Sequence, residues 1–256
     1  MGTSSIYQGK NDRNPLLPDD YDDRNQKSDI IKNTQVKWKT VKLNMSKFIN
    51  SNGQRGSASH IAKQYIKASG GSNRMAAQST SGIRTGSGLG TFFSGIRTDG
   101  FATTFRNLGI EFSDRSVDDI FSQLINVLAP ASNTKEDIVA KEAAEEALSK
   151  VYDYVENNNM NLECLDKMPP NLMNEALCEY VGSYIWSLMM KDLGSRFEKY
   201  IDDSKQTQSL EHEFKGYIFS TVRVEFGKKG DIINQDVRTS ITELYGKCLE
   251  VLEGTL

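Results

Sequence analysis

Between Pro169 and Ile201 the chain carries an apolar repeat that few folds can accommodate. Leu172, Ala176, Leu177, Tyr180, Val181, Tyr184, Ile185, Leu188, Met189, Leu193, Phe197 and Tyr200 recur every third or fourth residue, which is the spacing of one helix face. Pro169-Pro170 precedes the run, and proline suits a first helical turn, where its missing N–H goes unused. The spacing predicts a helix over about 171–201. A helix this long and this apolar has to be surrounded, so it is expected at the centre of a bundle.

The flanking sequence supplies the surround. Ser116 opens a run with Val117, Ile120, Phe121, Leu124, Ile125 and Leu128 on one face, stopped by Pro130. Thr134 opens another that reaches Val155, with Ile138, Ala144, Leu148, Val151, Tyr152 and Val155 inward, and Asn157-Asn158-Asn159 breaks it. Two further helices are expected over about 209–226 and 236–253, with Gly227-Lys228-Lys229-Gly230 as the turn between them. Upstream, Ser57 is placed to cap a helix carrying Ala58, Ile61, Ala62, Tyr65 and Ile66, ended by Gly70-Gly71. Asp99 is expected to cap a helix over 100–108, ended by Gly109. Only Val36 to Leu43 departs from this pattern: it alternates apolar and basic residues and reads as a short strand or extended arm. The fold class is all-α, a helical bundle with a flexible N-terminal leader and a basic middle punctuated by Gly and Ser.

Charge divides the same chain differently. Residues 30–106 hold twelve Lys and Arg against the single acid Asp99, a net of +11, whereas 107–256 hold fifteen against twenty-seven acids, a net of −12. The overall −3 conceals two opposed blocks, which directs attention to an anionic partner. We therefore divide the chain into an acidic leader (1–29), a basic docking region (30–109) and an acidic helical bundle (110–256). Lys37, Lys39, Lys42, Lys63, Lys67, Arg84 and Arg97 are the candidates for contact with an acidic protein surface or a polyanion. Nucleic-acid binding by such a surface would be electrostatic and salt-sensitive.

Two arginines sit in a near-repeat, Ser81-Gly82-Ile83-Arg84-Thr85-Gly86 and Ser94-Gly95-Ile96-Arg97-Thr98-Asp99-Gly100. Neither a Gly-Lys-Ser/Thr loop nor G-x-G-x-x-G spacing is met, since Phe93 stands where the third glycine belongs. Small residues permitting close helix contact, with Phe92, Phe93, Phe101 and Phe105 as core, account for it better. Membrane-surface association through Phe92 and Phe93 is a weaker reading.

Little points to chemistry. Glu142, Glu145, Glu146, Glu175, Glu179 and Asp192 fall mostly off the apolar stripes and read as a solvated face. His60 and His212 stand apart without metal-ligand spacing, and no nucleophile elbow occurs. No enzyme activity, metal or cofactor is expected. Cys164, Cys178 and Cys248 are odd in number and widely spaced, as reduced thiols of a cytoplasmic protein would be. No apolar run reaches the ~18 residues of a membrane span, and the opening is not a secretory signal.

That opening singles out Gly2. Removal of Met1 would leave a glycine amine, which titrates near ~8 and is partly neutral at cellular pH. The first residues, Met1-Gly2-Thr3-Ser4-Ser5-Ile6-Tyr7-Gln8-Gly9, with Pro15-Leu16-Leu17-Pro18, the basic middle and the helical remainder, resemble the QatB family, component B of the four-gene Qat anti-phage defence system of bacteria. An Asp-rich tract stands where relatives are proline-rich. The resemblance implies a non-enzymatic subunit acting beside an ATPase, a QueC-like enzyme similar to the 7-deazaguanine synthase of the queuosine pathway, and a TatD-like nuclease. It also implies that Gly2 is a suitable acceptor for a deazaguanine carboxylate activated by the QueC-like partner. The alternative is a nucleic-acid-binding module that brings the nuclease to DNA.

Overall fold

The computed structural model describes residues 36–130, 134–198, 204–234 and 236–255. The expected leader, Gly2 included, lies outside them. Among the described residues ten α-helices follow in order: α1 (Trp38–Asn50), α2 (Ala58–Ala68), α3 (Ser72–Gln78), α4 (Thr80–Asp99), α5 (Phe101–Asn107), α6 (Val117–Leu128), α7 (Lys135–Asn157), α8 (Pro170–Glu198), α9 (Ser204–Lys229) and α10 (Val237–Glu253). Short 3-10 turns lie at Leu162–Lys167 and Ile232–Asn234. Among the described residues there is no strand, so the fold is all-α.

α8 occupies the centre, as its apolar repeat requires. Tyr180 to Trp186 are buried without interruption, which happens only when a helix is covered on every side. α7, α9, α1 and α4 cover it. The basic and acidic segments share one apolar core running from Val41 to Leu252.

Local capping signals set most boundaries. Ser57, Ser116, Thr134 and Asp236 each accept a hydrogen bond from the backbone N–H three residues on. This satisfies one of the amides that every helix start leaves open.

Four expectations need correction. Val36 to Leu43 is not an arm: Trp38 begins α1, because Val41, Met45, Phe48 and Ile49 form a helical stripe that buries against α2 and α8. Over eight residues, alternation and helical spacing overlap; only the longer window separates them. Asp99 ends α4 and caps nothing, while Gly100 (φ +81°) starts α5 and Asp166 accepts from Phe101 N at 2.6 Å. Ile138 is 46% exposed, since the alanines 140, 143, 144 and 147 turn the inward face of α7 away from it. The Gly227–Gly230 turn shrinks to Gly230 (φ +73°), and α9 continues through Lys229.

α4 explains the glycine near-repeat. The segment is one helix of 20 residues, and Gly82, Gly86 and Gly90 form a stripe along it. A Cβ at these positions would stand 2.1 Å from the Tyr184 ring, 2.6 Å from the Tyr180 ring and 2.3 Å from Val237, respectively. Helix-interior glycine costs ~1 kcal/mol against alanine, so three in register mark a contact that a side chain would prevent. Tyr180 and Tyr184 stack with centroids 6.2 Å apart on this floor, and the Tyr180 hydroxyl donates to Gly82 O at 2.7 Å. Phe92 and Phe93 are buried, so they offer no side chain to a membrane.

The two charge blocks meet through helix starts. α3, α4 and α5 have no cap of their own. Glu253 accepts from Ser72 N at 3.0 Å, Glu136 from Ser81 N and Gly82 N at 2.6 and 3.3 Å, and Asp166 from Phe101 N. Carboxylates of the acidic segment thus serve the positive ends of helices in the basic one.

The cysteines are free thiols. Burial raises all three, Cys178 to about 11 and Cys248, which is fully enclosed, higher still. Raised thiols hold little thiolate near neutral pH. Under native conditions a thiol reagent is expected to label half-buried Cys164 first and Cys248 only as the protein unfolds. Peptide mapping by mass spectrometry checks this, and equal labelling of all three would contradict it.

Candidate interaction surface

α1 and α2 carry several cations that make no ion pair among the described residues. α1 turns Val41, Met45, Phe48 and Ile49 inward and Lys39, Leu43 and Lys47 outward at four-residue spacing. Trp38 stands edge-on to Tyr65 of α2, with centroids 5.3 Å apart, and remains 38% exposed; Leu43 is 51% exposed. Tyr65 fixes α2 to α8, its hydroxyl donating to Asp192 at 2.9 Å and to Leu188 O at 3.1 Å. Burial, with Asp192 adding to it, pushes that phenol well above its usual range. The pair of helices is a rigid mount.

The seven candidate cations part company here. Arg84 pairs with Asp137 at 3.2 Å, and Asp137 also accepts from Ser81 Oγ at 2.6 Å and from Thr134. Arg97 pairs with Asp231 at 2.9 Å, and that hydrogen bond holds the Asp231 carboxyl below the usual carboxylate range. Lys63 reaches across to the end of α10, its Nζ 3.0 Å from where a Cβ on Gly254 would stand. A cation there faces the negative end of a helix. Lys37, Lys39, Lys42 and Lys67 make no ion pair among the described residues.

Lys47 and Arg55 belong with them and were not singled out from the sequence. Reading α1 as a strand hid the Lys39–Leu43–Lys47 stripe; helical spacing would have revealed it. Lys47 and Arg55 line a cleft of about 350 Å³ between α1 and α2, together with Asn44, Gly56, His60 and Ile61. A second groove of about 470 Å³ runs along α4, α5 and the end of α6, floored by Gly88, Phe92 and Leu128. Among the described residues no three of His, Cys, Asp and Glu gather as metal ligands would. No described helix is long and apolar enough to cross a membrane.

No curated protein and no solved structure matches the chain. A family model does, that of the Qat anti-phage system associated protein QatB, over residues 70–252. The match takes in α3 through nearly all of α10 and well over half of the chain. The all-α architecture, the glycine-floored α4 and its carboxylate-capped neighbours are therefore those of a member of the QatB family, a component of the Qat anti-phage system.

Proposed function

We propose that this Qat component is a non-enzymatic adaptor. Its bundle presents the α1–α2 face to an acidic partner protein of the same system, and the amine of Gly2 accepts a nucleobase-derived acyl group. The division of charge supports the docking half. Arg84 and Arg97 are neutralised within the molecule, while among the described residues Lys37, Lys39, Lys42 and Lys67 make no ion pair, and Trp38 and Leu43 of α1 are exposed. An exposed aromatic and an exposed aliphatic side chain on a helix that also carries lysines suit a protein interface with an acidic rim. The partners are the ATPase, the QueC-like enzyme and the TatD-like nuclease.

The conjugation half rests on amine chemistry. Once Met1 is removed, the partly neutral Gly2 amine attacks the acyl adenylate made by the QueC-like enzyme. A C–N bond forms, the acyl–phosphate bond breaks, AMP leaves, and the amine proton passes to solvent. Intact-mass measurement after expression with the other Qat components is expected to show an added nucleobase on the N-terminal peptide. Gly2→Lys, whose large side chain retains Met1, is expected to remove both the adduct and phage protection. An unmodified terminus, or undiminished protection by Gly2→Lys, would overturn this reading.

Charge reversal at Lys39 and Lys42 tests docking, with loss of co-purified partner expected. The nucleic-acid alternative draws on the same cations. If the reversed variant keeps its partner but loses a DNA gel shift that falls steeply with salt, delivery of the nuclease to DNA is the better account.

A further inference from the structure

We propose that the cleft between α1 and α2 binds a phosphoryl group, with Lys47, Arg55 and His60 as its donors. The turn that follows α1 assembles it. Gly53 and Gly56 take φ of +76° and +118°, values that side chains resist, and Arg55 N donates to Ser51 Oγ at 2.7 Å. The chain so folded leaves Arg55 lining the same cavity as Lys47 from the last turn of α1 and His60 from the first turn of α2.

Among the described residues, the charged side chains that line the cavity are cations, and no carboxylate lines it. Glu213 of α9 approaches the turn, 3.7 Å from where a Cβ on Gly53 would stand, but it pairs with neither cation. Arg84, Arg97, Lys135, Lys150 and Lys191 all meet carboxylates, whereas Lys47 and Arg55 make no ion pair among the described residues. Two cations held at one small cavity repel each other, and an anion between them reverses the sign of that interaction.

His60 is oriented rather than loose. Asn44 Nδ2 donates to Gln64 Oε1 at 2.6 Å, which leaves Gln64 Nε2 to donate to His60 Nε2 at 2.7 Å. With Nε2 accepting, the ring proton sits on Nδ1, so a neutral His60 still offers a donor; the assignment follows from the hydrogen-bond chain. A guanidinium fork, a compact ammonium and an imidazole N–H on three residues that line one cavity suit a group with several equivalent oxygens. The N-terminus of the 11-residue α2 at the same edge adds to the attraction. The whole cleft precedes Gly70, where the family match starts, so it is read from this chain alone.

Isothermal titration of the full-length protein with pyrophosphate at low ionic strength tests the site. The expected result is saturable one-to-one binding that Lys47→Gln and Arg55→Gln each weaken by about tenfold, in line with loss of a charge-assisted contact. Lys39→Gln and Lys67→Gln, cations outside the cleft, are expected to stay within about twofold of the parent, as surface charges at a distance do. Thermal melts confirm that each variant is folded. A dodecamer of deoxythymidine separates the sources: if it competes with pyrophosphate the phosphoryl group belongs to a strand, and if it does not bind the ligand is a small phosphate. Absence of saturable pyrophosphate binding, or equal weakening by all four substitutions, or oligonucleotide binding that pyrophosphate fails to displace, would each overturn the proposal.

Discussion

Gly82→Ala is expected to destabilise the protein by about 3 kcal/mol, and Gly88→Ala, six residues along the same helix, to stabilise it by about 0.5 kcal/mol. Both substitutions gain the same helix propensity, ~1 kcal/mol at most. What differs is the space. A methyl at 82 would stand 2.1 Å from Tyr184 Cζ and within 2.6 Å of both Cε atoms. That ring cannot swing aside: its hydroxyl donates to Glu136 at 3.1 Å and it packs on Tyr180 and Tyr245. A methyl at 88 meets only Leu128 Cδ2, at 3.4 Å, an ordinary contact. For a chain of this size ~3 kcal/mol lowers the melting temperature by roughly 6–12 °C. Thermal and urea melts of the two variants decide the matter, and a Gly82→Ala protein as stable as its parent would mean that α4 and α8 are further apart than described. Tyr184→Ala in the same chain is expected to recover part of the loss, because the two changes act on one contact.

The second large effect is expected at Glu136. Its Oε1 receives Ser81 N–H, Gly82 N–H and the Tyr184 hydroxyl, so one side chain caps α4 and holds the ring that fills the glycine floor. Glu136→Ala strands all three donors. Losing a cap costs ~0.5–2 kcal/mol and leaving a buried donor unpaired adds ~1–3 kcal/mol, so a total near ~3 kcal/mol is expected. Glu136→Gln keeps an acceptor oxygen and loses only the charge that favours a helix start, about 1 kcal/mol. Urea denaturation of the two variants is the measurement. Equal losses would show that charge, rather than the hydrogen bonds, holds the joint.

These two sites also show what sequence reasoning reaches. The caps at Ser57, Ser116, Thr134 and Asp236 were legible because donor and acceptor lie within one turn. The caps from Glu136, Asp166 and Glu253 were not, since 55, 65 and 181 residues separate them from the amides they serve. Nothing local distinguishes Glu136 from a solvated glutamate. The glycine near-repeat was legible as close packing, but not which glycines touch which rings; that depends on how α4 lies across α8 and α10. Arg84 and Arg97 were among the seven cations singled out for contact with an acidic surface or polyanion, and both have intramolecular carboxylate partners. Of the cations at the α1–α2 cleft, Lys47 was masked by a strand reading of its neighbours and Arg55 by its place in the turn between the two helices.

The long reach of Glu253 bears on how the chain is made. Ser72 leaves the ribosome with the start of α3 open, and the side chain that closes it is translated 181 residues later. At bacterial elongation speeds of ~5–20 residues per second this is a wait of roughly 10–35 s. During that interval the start of α3 lacks its anionic counterpart, and whatever else in the cell is acidic has first access to it.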